Sequence, residues 1–182
     1  MLILASSSPR RKELLKKLTP SFTILPPDID ESSLPLEAKD LPGELSKEKA
    51  YAVFSKHLED QVLACDTIVV LNGKVLGKPK DEEDAFRMLK EESGKKQIVL
   101  SGYTFLSKDV EITRTVSTEV YFQELSDELI WDYIKTKKPL DKAGAYGIQD
   151  GYPLIKEIRG SFDNVMGLPT EDIAQHVLPF IR

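Results

Sequence analysis

Three groups of residues have side chains suited to holding an anion and activating a water molecule. The first is Ser6-Ser7-Ser8-Pro9-Arg10-Arg11, directly after the apolar run Leu2 to Ala5. A helix starting there offers free N–H groups and the positive end of its dipole. The guanidinium forks of Arg10 and Arg11 match phosphate oxygens. The alternative is a capped surface helix with a solvated basic turn. The segment lacks the Gly-x-x-x-x-Gly-Lys pattern, which disfavours ordinary P-loop chemistry. The second group is Asp66-Thr67, between two apolar runs. A carboxylate at a strand end can act as a base or bind a metal; a turn Asp satisfying local N–H groups is the competing reading. Glu31, beside Asp28 and Asp30, is open in the same way: a site carboxylate or part of an acidic surface loop. The third group is Lys49 and Lys78, each able to meet phosphate as a point charge or to sit in solvent. Pro79 restricts the backbone after Lys78 and so holds it on a defined turn. His57 and His176 carry little signal. Cys65 has no histidine near it in sequence and reads as a small buried residue.

These residues need elements to position them. Leu2 to Ala5 reads as a buried strand. Ser8 suits an N-cap and Pro9 the first helical position, with Leu14, Leu15 and Leu18 as the apolar stripe. A second helix is expected between Pro42 and Leu58, with Ala50, Val53, Phe54 and Leu58 on one side. Val62 to Ala64 and Ile68 to Leu71 are strand-like and flank Cys65-Asp66-Thr67. Asn72-Gly73 predicts a hairpin returning through Val75 and Leu76. Asp81 opens a helix that Gly94 stops. Strands are expected over Ile98 to Leu106, Val110 to Phe122 and Leu154 to Ile158. Helices are expected from Ser126 and from Thr170 to Leu178. The segment from Asp141 to Gly151 is too rich in glycine, and too specific, for a plain turn. Alternating strands and helices with hairpins predict an α/β class with a mixed sheet.

Composition bounds the rest. The chain has 182 residues, 30 Asp plus Glu against 25 Lys plus Arg, and a net charge of −5. That length predicts one domain over residues 1–182. Apolar residues at 41% and charged residues at 30% are globular values. The acidic balance argues against general nucleic-acid binding, which uses a basic face. One cysteine excludes an intrachain disulfide and favours a reducing compartment. Two histidines and one cysteine cannot build a His/Cys zinc site, so a metal would be a hard ion on oxygens. No apolar stretch approaches the roughly 20 residues of a membrane span, and a soluble, cytoplasmic protein is expected.

Together the motifs resemble the Maf family of septum-formation-like nucleoside triphosphate pyrophosphatases. The matching residues are Leu4-Ala5-Ser6-Ser7-Ser8-Pro9-Arg10-Arg11, Glu31, Glu48-Lys49-Ala50, Asp66-Thr67-Ile68-Val69, Gly77-Lys78-Pro79, Lys142 to Gln149, and Gly167-Leu168-Pro169. They follow the family's order and spacing over nearly the whole chain; the segment from Pro27 to Gly43 matches least. The resemblance implies a long, bent mixed sheet with flanking helices, in two lobes around a central cleft, as in inosine-triphosphate pyrophosphatases. It implies hydrolysis of a nucleoside triphosphate to monophosphate and pyrophosphate with Mg²⁺ or Mn²⁺. Carried onto this chain, Asp66 is the proton acceptor, and Ser6, Arg10, Arg11, Lys49 and Lys78 bind substrate. Glu31 and Asp66 are the metal ligands. The implied partner is the nucleotide, with no nucleic acid and no membrane, and a homodimer is compatible with it.

Branches of the family differ at three positions, and Arg10, Thr67 and Gln149 resemble the branch that hydrolyses dTTP and UTP. The branch acting on 7-methyl-GTP carries Trp, Gln and Glu there. The implied cellular roles are division arrest and cleansing of the nucleotide pool. Two other readings stay open: a non-catalytic nucleotide-binding regulator of septum formation, and a nucleotidyl- or phosphotransferase using the same cleft.

Overall fold

The computed structural model describes residues 1–29 and 36–182. Its elements in chain order are β1 (Leu2–Leu4), α1 (Pro9–Leu15), β2 (Thr23–Ile24), α2 (Leu41–Phe54), β3 (Gln61–Leu71), β4 (Lys74–Leu76), α3 (Glu82–Glu92), β5 (Lys96–Leu106), β6 (Glu111–Phe122), α4 (Asp127–Lys137), β7 (Ile155–Arg159), α5 (Phe162–Met166) and α6 (Thr170–His176). Short 3-10 turns punctuate the segment from Pro139 to Asp150. The strands form one seven-stranded mixed sheet in the order β2-β1-β3-β5-β6-β7, with β4 folded back on β3. β1 is parallel to both β2 and β3, and the remaining pairs are antiparallel. No helix among the described residues is long and apolar enough to cross a membrane.

Local chemistry accounts for most boundaries. Ser8, Asp81 and Ser126 each accept a hydrogen bond from a backbone N–H three residues on, which starts α1, α3 and α4. Asn72 and Gly73 both have positive φ, at 52° and 77°. That is the two-residue turn whose twist suits an antiparallel pair. The two short strands expected around Cys65-Asp66-Thr67 are instead one strand. β3 runs unbroken for 11 residues, and its ladder to β5 passes straight through Asp66↔Gly102 and Thr67↔Ser101. Asp66 therefore sits in mid-strand, neither at a strand end nor in a turn. Two elements carry no clear sequence signal: β2, of two residues, and α5, of five. Leu58 falls beyond α2 and is exposed, so it is not part of that helix's buried face.

β3, β5 and β6 are long enough to join two apolar cores on the same side of the sheet. One core gathers Leu2, Leu4, Leu14, Leu15, Leu63, Cys65, Tyr103 and Phe105 beneath α1 and α6. The other gathers Val69, Leu71, Val99, Val120 and Phe122 beneath α3 and α4. Fully burying a Leu such as Leu14 or Leu15 contributes about 2 kcal/mol. Between the cores the strands turn polar at Thr67, Ser101 and Thr118. On the opposite face, α2 packs Ala50 and Val53 against Ile3, Ala5, Val62, Ala64 and Leu106. Side chains of β1 and β3 thus alternate between two buried faces.

Candidate active site

The loop from β1 into α1 is held by its own serines. The Ser6 hydroxyl accepts the Ser8 N–H at 3.0 Å, and the Ser8 hydroxyl accepts the Arg11 N–H at 3.3 Å. Arg10 and Arg11 then diverge. Arg11 Nε donates to the Gly167 carbonyl at 2.7 Å, and its Nη2 donates to Thr67 Oγ1 at 3.2 Å. Arg10 Nη1 lies 3.6 Å from Asp141 Oδ2, at the head of the glycine-rich segment. Partial burial would raise the Asp141 carboxyl, but Lys142 and Arg10 beside it outweigh that and hold it below the usual carboxylate range.

Asp66 points to the face of the sheet that α2 covers. Lys49 Nζ donates to Asp66 Oδ1 at 2.9 Å, with side-chain exposures of 9% and 14%. The low exposure matters because a pair this dry is weakly screened. Asp66 Oδ2 is buried and, among the described residues, accepts no hydrogen bond. A buried carboxylate oxygen left so is uncommon. Next to it, Thr67 Oγ1 is 2.7 Å from Ser101 Oγ, and Ser101 donates to the Asn164 carbonyl at 3.3 Å. Cys65 is fully buried, burial pushes its thiol up, and its Sγ donates to the Gly167 carbonyl at 3.3 Å. It is a packed residue rather than a nucleophile.

A cleft of about 760 Å³ opens at this point. Arg10, Arg11, Lys49 and Lys78 border it, and so do Ser6, Asp66, Thr67 and Gln149. Residues from the β1–α1 loop, α2, mid-β3, the loop after β4 and the glycine-rich segment thus meet in one cavity. Lys78 is exposed there, and its loop is tied to the glycine-rich segment by Gly144 N–H donating to the Gly77 carbonyl at 3.1 Å. Gly144 has a φ of 71°, and a Cβ there would lie 2.8 Å from Glu92 Oε1. Both conditions favour glycine. Lys142, to which the sequence reading gave no role of its own, also borders the cleft, its Nζ 3.4 Å from Asp141 Oδ1. Its place beside the glycine-rich motif was the available signal.

Glu31 lies outside the described residues. Among those described, no group of three or more His, Cys, Asp or Glu residues could hold a metal ion. The donor chemistry at Asp66 still fits a hard divalent cation. Mg²⁺ takes one or two carboxylates, keeps several waters and completes its shell with substrate phosphates. The unpartnered, buried Oδ2 of Asp66 is an oxygen of that kind.

The family described as Maf-like protein matches residues 1–178. A "dTTP/UTP pyrophosphatase" of Thermosipho melanesiensis is 49% identical over 173 residues, covering 94% of this chain and 93% of the relative. A "dTTP/UTP pyrophosphatase" of Thermococcus gammatolerans is 47% identical over 176 residues, covering 95% and 93%. Among solved structures, the nucleoside-triphosphatase / dITP/XTP pyrophosphatase of Mycobacterium abscessus aligns over 96% of this chain and 93% of its own. Its identity is 13% and its TM-score 0.49.

Proposed function

The chain belongs to the Maf family, and from that premise we propose that it hydrolyses dTTP and UTP to the monophosphate and pyrophosphate, as one domain acting in the cytoplasm. The observation that carries this reading is the single cleft that gathers Asp66, with Oδ2 unpartnered among the described residues, together with Arg10, Arg11, Lys49, Lys78 and Lys142. The names of relatives at 47–49% identity support the choice of substrate.

A triphosphate brings about four negative charges, and positioning with charge neutralisation dominates such reactions. Arg10, Lys78 and Lys142 have side chains directed to the cleft and bind the phosphates. Arg11 spends two donors on Gly167 and Thr67, so its guanidinium is fixed before substrate arrives. Lys49 holds Asp66 Oδ1, which leaves Oδ2 to accept the water's proton. The water oxygen attacks the α-phosphorus, and the bond from that phosphorus to the bridging oxygen breaks. Pyrophosphate leaves, and the water's proton passes to Asp66. A divalent cation, when bound, would spread the polyphosphate charge; Asp66, with Glu31 from the family resemblance, would hold it.

Gln149 reads the base. Uracil and thymine present an N3–H donor between two carbonyl acceptors, and an amide offers a donor and an acceptor to that edge. Guanine presents two adjacent donors, which suit a carboxylate. The test is a panel of nucleoside triphosphates with pyrophosphate detection, with and without Mg²⁺ or Mn²⁺. Turnover of dTTP and UTP far above ATP, GTP and 7-methyl-GTP is expected, with weak sugar discrimination. Gln149→Glu is expected to lower kcat/KM for UTP and shift the UTP/GTP ratio toward GTP. Binding without pyrophosphate release would support a regulator instead. A purine preference in the parent protein would overturn the substrate assignment.

A further inference from the structure

Gln149 is exposed at the cleft, and among the described residues its side chain has no hydrogen bond, so the set of its loop decides where its amide points. The loop around it is gripped by one side chain. Gly147 N–H donates to the Tyr133 hydroxyl at 2.8 Å, and that hydroxyl donates to Asp150 Oδ2 at 2.6 Å. Tyr133 therefore ties down the second residue before Gln149 and the first residue after it. The donor order is unambiguous. A backbone N–H can only donate, so the hydroxyl oxygen accepts from Gly147, and its hydrogen is left for the carboxylate. Burial and the Asp150 carboxylate both push the phenol's pKa up, which keeps that hydrogen in place.

Tyr133 itself does not move freely. It lies on α4, its side chain is fully buried, and its ring meets Tyr152 edge-on with centroids 5.0 Å apart. The loop curls tightly round Gly147. A Cβ at that position would sit 2.9 Å from Asp150 Oδ2, 2.9 Å from Lys142 Cε and 3.1 Å from the Gln149 amide nitrogen. The amide of Gln149, the stem of Lys142 and the Asp150 carboxylate thus share the space over one glycine.

We propose that Tyr133, which does not border the cleft, is the positioning residue for base selection: its hydroxyl, bridging Gly147 and Asp150, sets the loop so that the Gln149 amide meets the base edge. This rests on the reading of Gln149 as the base-reading residue. A second tether keeps the rest of the loop in place, since the Tyr146 hydroxyl donates to Gln97 Oε1 at 2.6 Å. Losing the Tyr133 hydroxyl should loosen selection without dismantling the site.

The test compares kcat and KM for UTP and GTP in the full-length protein, in Tyr133→Phe and in Asp150→Ala. Tyr133→Phe keeps the ring and removes only the bridge; Asp150→Ala removes the half-buried acceptor and leaves the packed ring of α4 in place, so it tests the bridge independently of the core variant. Both are expected to lower the UTP/GTP ratio of kcat/KM by about 10-fold or more, since sites that select by hydrogen bonds lose most when those bonds are misplaced. The loss should appear mainly as a raised KM for UTP, with kcat for UTP within a few-fold of the parent. Asp150→Asn, which keeps an acceptor oxygen, is expected to restore the ratio. A folded Tyr133→Phe or Asp150→Ala with lowered Tm but an unchanged ratio would show a structural role only and overturn the proposal. A parent protein with no UTP preference would overturn the base-reading role of Gln149 instead, and the two failures are separated by the parent's own ratio.

Discussion

The two oxygens of Asp66 are in different situations, and that difference defines its chemistry. Oδ1 is bound to Lys49 at 2.9 Å, while Oδ2 is buried and unpartnered. Asp66→Asn keeps the shape and the contact to α2 but removes the negative charge that accepts a proton. General-base assistance is worth roughly 10²–10⁴-fold, so kcat is expected to fall by at least that range while KM for UTP moves little; more would be lost if the cation leaves too. Steady-state kinetics on the purified variant check it, and retention of most of kcat would remove Asp66 from the role. At this scale the residue types were legible, since serines, arginines, lysines and a carboxylate in family order announce a phosphate site. The internal wiring was not. No spacing rule links Arg11 to Gly167 or Lys49 to Asp66, because those bonds span 156 and 17 residues and exist only once α1, α2 and β3 have packed.

At the scale of elements, the position of Lys49 depends on a glycine with no chemistry of its own. Gly102 on β5 is the ladder partner of Asp66, and the start of α2 rests on it. A Cβ at Gly102 would come within 2.5 Å of the Pro42 carbonyl oxygen and closer still to Gly43 N. These are backbone atoms and cannot swing aside. Gly102→Ala must therefore push α2 off the sheet, which separates Lys49 from Asp66. Overpacking of this kind costs about 1–3 kcal/mol, and about 2–4 °C of Tm follows each kcal/mol in a chain this size. A lower Tm together with a kcat loss for UTP is expected, by thermal unfolding and kinetics; a variant with parental Tm and rate would show that α2 can accommodate the methyl. Helix caps and the Asn72-Gly73 hairpin were legible because each is a local hydrogen-bond or dihedral requirement. The continuity of β3 was hidden because Asp66-Thr67 breaks its apolar run just where it leaves one core for the other. Gly102 looked like an ordinary strand residue, since close approach of a helix is a tertiary fact.

At the scale of the whole molecule, two cores meet along a polar seam, and the glycine-rich segment closes the seam from the side of the second core. Its floor is Glu92, fully buried at the end of α3, where Gln97 Nε2 donates to Oε1 at 2.7 Å and Oε2 has no partner. In sequence this residue is one of a charged run, Lys90-Glu91-Glu92, and nothing there marks it as interior. Burial raises its carboxyl well above the ordinary 4.5, so the folded protein holds a proton that the unfolded chain releases. Stability falls with pH wherever the native state binds more protons than the unfolded state. The contribution of Glu92 is therefore complete below about pH 4.5 and is lost progressively as pH rises through its raised folded-state value. Glu92→Gln keeps the size and the acceptor for Gln97 while removing the titration. The variant's Tm is expected to decline less between pH 5 and 8 than the parent's, so that its relative stability grows with pH. The UTP/GTP ratio should stay unchanged, because Gly144 and the Tyr146–Gln97 contact remain. Thermal unfolding across that range checks it, and parallel Tm curves for parent and variant would mean that Glu92 is ionised in place and that the loop rests on a charge instead of a neutral acid.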